Sequence, residues 1–145
     1  MTESNNSQTV FIDTNIWIYA FVDAQDTIKT QRARVLIRRE RTICLSTQVI
    51  NEITNNLLRK YHATEDVIQR LVRTIYRKYQ VSTFTEDILL TASRLRSAYQ
   101  FSFWDSTIVA SALESGATIL YSEDMHDSLI VNNQIHIKNP LKEPL

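Results

Sequence analysis

Glycine is almost absent from this chain of 145 residues, which contains Gly116 and no other. Glycine-rich phosphate loops and dinucleotide-binding folds need several glycines at fixed spacing, so both kinds of nucleotide site are excluded. Cysteine is equally scarce. Cys44, the only one, lies in the apolar run 42–45, and we expect a buried strand residue rather than a reactive thiol. A lone cysteine also excludes a disulfide framework and favours a reducing compartment.

Long hydrophobic runs are missing as well. No stretch approaches the ~18 consecutive apolar residues of a membrane helix, and residues 1–9 are polar, without the basic-then-apolar order of a signal peptide. We therefore expect a soluble, cytoplasmic protein with no membrane partner. The three histidines are scattered, and no Cys/His cluster suggests a zinc site (His62, His126 and His136).

The formal net charge is zero, but the charges are distributed unevenly. The segment 29–96 holds 14 of the 16 Lys and Arg residues and 6 of the 16 Asp and Glu residues, which gives +8 there and −8 in the remainder. Basic helices around an acidic cluster would attract a polyanion while holding cations at the centre. Any single arginine is equally explained as part of a solvated helix face.

Short apolar runs alternate with helical patterns along the whole chain. The runs at 10–12, 42–45, 81–84, 117–121 and 134–137 are typical of buried strands. Helical spacing of apolar residues occupies the intervals between them, and Gly116 is expected to end the helix that starts near Asp105. The pattern predicts an α/β fold, a three-layer α/β/α sandwich with a mainly parallel, roughly five-stranded sheet. We expect one domain over 1–145, with flexible tails at 1–9 and 139–145.

Acidic residues stand at the ends of these elements. Asp13 follows the first strand, Asp124 follows the fourth, Asp105 stands where a helix should begin, and Glu52 lies on the flank of a buried helical stripe. Ligands bind at the carboxyl ends of parallel strands. Each aspartate alone is also a preferred helix N-cap, and Glu52 alone could be an edge-of-core residue. If the first and fourth strands are neighbours, however, all four carboxylates converge.

Four carboxylates so close together would repel one another and raise some of their pKa values unless a cation neutralised them. Hard oxygen ligands favour Mg²⁺ or Mn²⁺, and such a site suits phosphoryl chemistry through activation of water. Thr14, Asn15 and Ser122 could form hydrogen bonds that orient the carboxylates or position water molecules beside them.

The residues resemble the PIN-domain ribonucleases, and among them the VapC-type toxins of toxin–antitoxin pairs. The stretch FIDTNIWIYAF is similar to the opening strand with the first acid, Asp13, and STQVINEI to the helix that carries Glu52. FWDSTIVASALESGATILYSEDM is similar to the segment with the third and fourth acids, Asp105 and Asp124, and IKNPL to the Asn-Pro ending. The resemblance implies an endoribonuclease that needs Mg²⁺ or Mn²⁺, with these four acids as catalytic and metal-binding residues. It also implies an RNA substrate, a homodimer and a small antitoxin partner.

Two departures from the family pattern stand out. Ser106 occupies a position where a small apolar residue is common, and the turn after Asp124 lacks a glycine and carries Asp127, which could share or replace the role of Asp124. Two other functions fit the residues. One is a non-catalytic RNA-binding or scaffold protein of the same fold. The other is an aspartyl-phosphate phosphatase with Asp13 as nucleophile, which the Asn at 15 and the helical placement of Lys60 and Lys78 disfavour.

Overall fold

The computed structural model describes residues 8–23 and 26–142 and contains one central sheet of six strands. The strands are β1 Thr9–Ile12, β2 Thr42–Ser46, β3 Gln80–Ser82, β4 Ile119–Tyr121, β5 Ile130–Val131 and β6 Ile135–Lys138. All pairings are parallel except that of β5 with β6. The mainly parallel sheet is thus confirmed, and the additional strand is β5, which lies in the short apolar run 129–131 that was not predicted as a strand.

Six helices alternate with these strands in the described residues: α1 Thr14–Phe21, α2 Thr27–Arg39, α3 Thr47–Lys60, α4 Glu65–Lys78, α5 Glu86–Tyr99 and α6 Phe103–Glu114. Helix α1 contacts α2 and α3, α3 also contacts α4, and α5 and α6 form the other packed group. The predicted three-layer α/β/α sandwich is confirmed. No helix in the described part of the chain is both long and apolar enough to cross a membrane.

In the strand order β3-β2-β1-β4-β6-β5, the direction in which successive strands are added changes between β1 and β4. From β1 the chain continues to β2 on one side, whereas β4 lies on the other side in register with β1, with Ile12 opposite Tyr121. In open α/β sheets this switch point leaves a crevice at the carboxyl ends of the two strands. Asp13 and Ser122 follow β1 and β4 directly and therefore face that crevice.

Helix α6 is the most deeply buried helix, with every residue from Ser106 to Leu113 buried. Its small residues, Ala110, Ser111 and Ala112, let the backbone approach the sheet closely. The helix ends at Gly116, whose φ of +81° is a left-handed conformation that favours glycine, and whose N–H donates to the Leu113 carbonyl at 3.1 Å. The predicted end of this helix is confirmed.

The start of α6 differs from the prediction. We expected Asp105 at the beginning of the helix, but Ser102 is the N-cap, and its hydroxyl accepts the Asp105 N–H at 3.2 Å. Serine is as good a cap as aspartate, and Asp105 lies in the first turn of the helix. The Asp105 carboxylate is thereby left out of the capping interaction.

Residues 139–142, part of the predicted C-terminal tail, contact the rest of the fold. The Asn139 N–H donates to Asp127, and Leu141 is buried. Arg32 donates to the Leu141 carbonyl at 2.5 Å. At the other end Thr9 already belongs to β1. The rest of the two predicted tails, residues 1–7 and 143–145, lies outside the described residues. Cys44 is a buried residue of β2, as predicted.

Candidate active site

Asp13 lies at the centre of the crevice, directly after β1. Its backbone N–H donates to the Tyr121 carbonyl of β4 at 2.9 Å, which extends the sheet by one bond. Its carboxylate caps α1 by accepting the Thr14 N–H at 2.7 Å and also accepts the Ser122 hydroxyl at 2.9 Å. Asp13 therefore both caps α1 and lies at the end of β1, the two roles that the sequence left as alternatives.

Asp124 belongs to the loop after β4 and is exposed. The Asn15 side-chain amide donates to its Oδ2 at 2.5 Å, which ties this loop to the first turn of α1. The neighbouring Glu123 strengthens the tie, because it accepts from Lys29 Nζ at 2.6 Å and from the Tyr19 hydroxyl at 3.0 Å. The hydrogen bond with Glu123 raises the pKa of Lys29 to about 12.

Asp105 approaches from the first turn of α6. The adjacent Ser106 is fully buried, accepts from Arg96 at 2.8 Å and donates to the Phe103 carbonyl at 2.6 Å. The hydroxyl that departs from the family pattern thus connects α5 to the start of α6. This contact fixes the turn that carries Asp105.

Glu52 approaches from α3 and has an incomplete set of hydrogen bonds. Its Oε1 is buried and lacks a hydrogen-bond partner among the described residues. One turn earlier on α3, the Gln48 amide oxygen lies 2.7 Å from the Thr107 hydroxyl of α6. This contact joins the two helical groups beside Glu52.

Two of the four carboxyl groups, Asp13 and Glu52, have raised pKa values. Burial is the largest of the causes that together raise the pKa of Asp13 from 3.8 to about 6. The charges of Asp105 and Asp124 act in the same direction as burial, and the hydrogen bonds from Thr14 and Ser122 oppose it. Asp13 keeps a partly exposed surface, but its carboxyl group lies deep among protein atoms. Burial also raises the pKa of Glu52, helped by the charges of Asp13 and Asp105 and opposed by the Gln48 amide.

Among residues 8–23 and 26–142, no Lys, Arg or His forms an ion pair with these four acids. The ion pairs among the described residues involve Glu123, Asp23, Glu40 and Asp127, but none of the four site acids. Within the same residues, no three His, Cys, Asp or Glu side chains are already gathered as they would be around a metal ion. The donor set nevertheless fits a hard divalent cation, because it consists of carboxylates alone.

The predicted supporting residues divide into two groups. Asn15 and Ser122 contact the site acids directly, and Thr14 does so through its backbone N–H while its own buried hydroxyl lacks a partner in the described chain. Asp127 lies apart: it accepts the Asn139 N–H at 2.9 Å, and its Oδ2 is 3.7 Å from Lys142 Nζ. The catalytic and metal-binding roles assigned to these residues stay predictions.

A cleft of about 560 Å³ beside Glu52 was not foreseen. It is lined by α3 residues that include Gln48, Asn51, Glu52 and Asn55, and by the aromatic rings of Phe84 and Trp104. The spacing of the amides at 48, 51 and 55 was a visible signal in the sequence, since three- and four-residue steps lie on one helix face. What the sequence could not show is that Trp104 closes the same space.

Comparison with known proteins agrees with this geometry. The family model described as PIN domain matches residues 10–127, which include the four acids. No curated protein sequence gives a significant match.

Several solved structures share the fold. A toxin–antitoxin complex from Klebsiella pneumoniae is similar at 19% identity and a TM-score of 0.68, over 90% of this chain and 97% of the other. The sarcin–ricin loop cleaving toxin VapC20 of Mycobacterium tuberculosis is 19% identical with a TM-score of 0.65, over 79% and 89% of the two chains. FitAcB from Neisseria gonorrhoeae is 15% identical with a TM-score of 0.71, over 92% and 99%. At these identities the likeness shows the fold.

Proposed function

The chain belongs to the PIN-domain family, and from this premise we propose that it is an endoribonuclease dependent on Mg²⁺ or Mn²⁺ and the toxin of a toxin–antitoxin pair. The observation that carries the proposal is the set of four carboxylates without a cationic partner at the switch point of the sheet. Asp13 and Glu52 have pKa values raised by burial and by neighbouring acids, and such perturbed groups are concentrated in functional sites.

In this proposal Asp13, Asp105, Asp124 and Glu52 hold the divalent cation. When bound, the cation supplies charge neutralisation at the acids and the phosphodiester and lowers the pKa of a water ligand. The chain's own contacts prepare the acids for this role. Ser122 and the Thr14 N–H favour the ionised form of Asp13, and Asn15 fixes the orientation of Asp124.

Glu52 differs from the other acids in ways that suit proton transfer. Its pKa is raised, and its Oε1 has no hydrogen-bond partner in the described part of the chain. A carboxylate with a raised pKa is a better general base near neutral pH. We therefore assign to Glu52 Oε1 the acceptance of the proton from the attacking water. Asp124 is the fourth acid in this account, since Asp127 is occupied by Asn139.

The proposed protein partners are suggested by solved structures of the same fold. The Klebsiella pneumoniae structure is a toxin–antitoxin complex, and we propose a small antitoxin, a homodimer and a cytoplasmic location for this chain. Light scattering of the purified protein at several concentrations tests the dimer. A mass of one chain at every concentration would contradict it.

The test of the nuclease is incubation of the purified, partner-free chain with total bacterial RNA and Mg²⁺ or Mn²⁺, beside an EDTA control. Asp13→Asn should abolish the fragments. The matched control is Asp26→Asn, because Asp26 also caps a helix, through the Lys29 N–H at 3.1 Å, but is not one of the site acids. The same fragment pattern from wild type and Asp13→Asn would contradict the nuclease and favour the scaffold reading.

A further inference from the structure

The cleft beside Glu52 has the size and lining of a ligand site. Its volume of about 560 Å³ falls within the range of roughly 300–1,000 Å³ that small-molecule sites occupy. We propose that it seats an unpaired nucleobase of the RNA, stacked on Trp104, next to the phosphodiester that the four acids cleave. This inference rests on the nuclease function proposed above and adds to it a requirement for single-stranded RNA at the cut.

Trp104 is an unusual surface residue. Its side chain is 61% exposed, whereas the other tryptophan, Trp17, is completely buried. Trp104 is nonetheless held in place, because the Phe103 ring meets it edge-on at 4.9 Å and the Arg96 guanidinium lies 5.0 Å from the centre of the Phe103 ring. A large exposed ring in a fixed orientation is a stacking platform, and every base has a face that can stack on it.

The opposite wall of the cleft is polar but almost uncharged. Asn51 and Asn55 present side-chain amides with donors and an acceptor, which match the edges of unpaired bases. Gln48 lines the same wall, with its amide oxygen engaged by the Thr107 hydroxyl. The lining residues include no Lys or Arg, and the only charge is that of Glu52. Such a lining repels a phosphate and accepts a neutral planar group, so the base and not the backbone belongs in the cleft.

Glu52 is the only charged residue of the lining, and its Oε1 has no hydrogen-bond partner among the described residues. The cleft therefore adjoins the acids that carry out the proposed cleavage. An RNA chain has to approach the acids in any case for cleavage. The base next to the scissile phosphate then lies within reach of Trp104, one residue before Asp105.

The test is binding without cleavage, in EDTA and in the Asp13→Asn background, to an unpaired oligoribonucleotide and to its duplex. Quenching of tryptophan fluorescence reports on Trp104, since Trp17 is inaccessible to RNA. For the variants, anisotropy of labelled RNA gives the affinity. Trp104→Ala should weaken binding of the unpaired RNA about 5- to 150-fold, the range of one lost base stack, and Trp104→Phe should retain most of it. Tyr76→Ala, which removes an aromatic side chain 53% exposed on α4, is the matched control and should bind as wild type.

Three results would overturn the proposal: equal affinity of wild type and Trp104→Ala, absence of quenching at saturating RNA, or equal affinity for unpaired and duplex RNA. A Trp104→Ala chain that changes its mass in light scattering while its RNA affinity stays constant would assign the cleft to a protein surface instead. Because binding is measured without turnover, the two proposals fail separately. Metal-dependent cleavage with no effect of Trp104→Ala removes only the base site, whereas quenching by RNA without any cleavage removes only the nuclease.

Discussion

The two sides of the site are built differently. On the sheet side, Asp13 and Asp124 follow β1 and β4, and Ser122, the Thr14 N–H and Asn15 hold their oxygens at 2.9, 2.7 and 2.5 Å. On the helix side, Glu52 has an oxygen without a partner in the described residues, and the adjoining cleft is open. The oxygens of the sheet side are therefore fixed by the protein's own hydrogen bonds, whereas the helix side offers an oxygen without a partner among the described residues and an open cleft.

Local sequence explains the contrast. Parallel pairing of β1 with β4 fixes the backbone on both sides of the crevice, so a single residue after each strand suffices to place an acid and its donor. The helix side depends on α3 and α6, which belong to different packed groups and meet here through Gln48 and Thr107.

The largest expected effect distinguishes the two acids that follow β4. Asp124→Asn should lower the rate of RNA cleavage by ~10²-fold or more, as expected when a group that acts in the chemical step is removed. Asp127→Asn should cleave at close to the wild-type rate, because its carboxylate is engaged by the Asn139 N–H outside the crevice. Single-turnover cleavage of one RNA measures both. Loss of cleavage in Asp127→Asn with retention in Asp124→Asn would reverse the assignment of the fourth acid.

The raised pKa of Asp13 predicts that the stability of the fold depends on pH. The folded pKa of about 6 lies above the ordinary value of 3.8, so the folded chain binds more protons than the unfolded chain between these values. The contribution of Asp13 to the free energy of unfolding therefore falls as the pH rises through this interval, by roughly 2–3 kcal/mol. Asp13→Asn should remove this fall.

Urea denaturation at about pH 4 and about pH 7 checks the prediction, with Asp26→Asn as the control for the loss of a helix cap. The stability of Asp13→Asn relative to wild type should be higher at the neutral pH. An equal difference at the two pH values would show that Asp13 is not held at a raised pKa.

Divalent cations should stabilise the fold by joining the two sides. Mg²⁺ or Mn²⁺ at 100 times its Kd is expected to add about 2.7 kcal/mol to the free energy of unfolding, and Asp105→Asn should blunt this gain. Thermal melts with and without the cation, each followed by EDTA, measure the effect. A melting temperature indifferent to the cation would mean that the carboxylates do not form a site in the folded chain.

The smallest effect concerns the donor that supports Asp13. Ser122→Ala removes the hydroxyl bond at 2.9 Å and should raise the pKa of Asp13 further, by roughly one unit, since a hydrogen bond to a charged group is worth about 1.5 kcal/mol or more. The acidic limb of the pH–rate profile should move to higher pH, with an unchanged plateau. Ser111→Ala is the matched control, because Ser111 is equally buried and its hydroxyl has no partner among the described residues. Identical profiles for the two variants would exclude a role of Ser122 in tuning Asp13.

The sheet side could be predicted from the sequence because its signals are local. Two short apolar runs, each followed by a polar or acidic residue, predict strands with such residues at their carboxyl ends. The sequence left the adjacency of these two strands as a condition, and the structure shows that β1 and β4 do pair in parallel. The helix side depends on which residue caps α6, and Ser102 and Asp105 are both good caps in the sequence. Only packing of the completed helix decides between them.

The cleft was beyond prediction for a related reason. The amide spacing on α3 is visible, but the position of Trp104 relative to it depends on how the two helical groups meet across the sheet. The two-residue strand β5 was not predicted, because it has one exposed and one buried residue and pairs antiparallel at the sheet edge. Structural features that depend on contacts between distant elements produce no periodic pattern of apolar residues in the sequence.

The measurement that tests the central claim most directly is the single-turnover cleavage of one unpaired RNA, with Mg²⁺ or Mn²⁺, by wild type and Glu52→Gln. Glu65→Gln, an exposed glutamate in the first turn of α4, is the matched control. If the helix side and the sheet side act on one reaction, Glu52→Gln should lose ~10²-fold or more of the rate while Glu65→Gln keeps it. Cleavage by Glu52→Gln at the wild-type rate would contradict the claim that the four acids form one catalytic site.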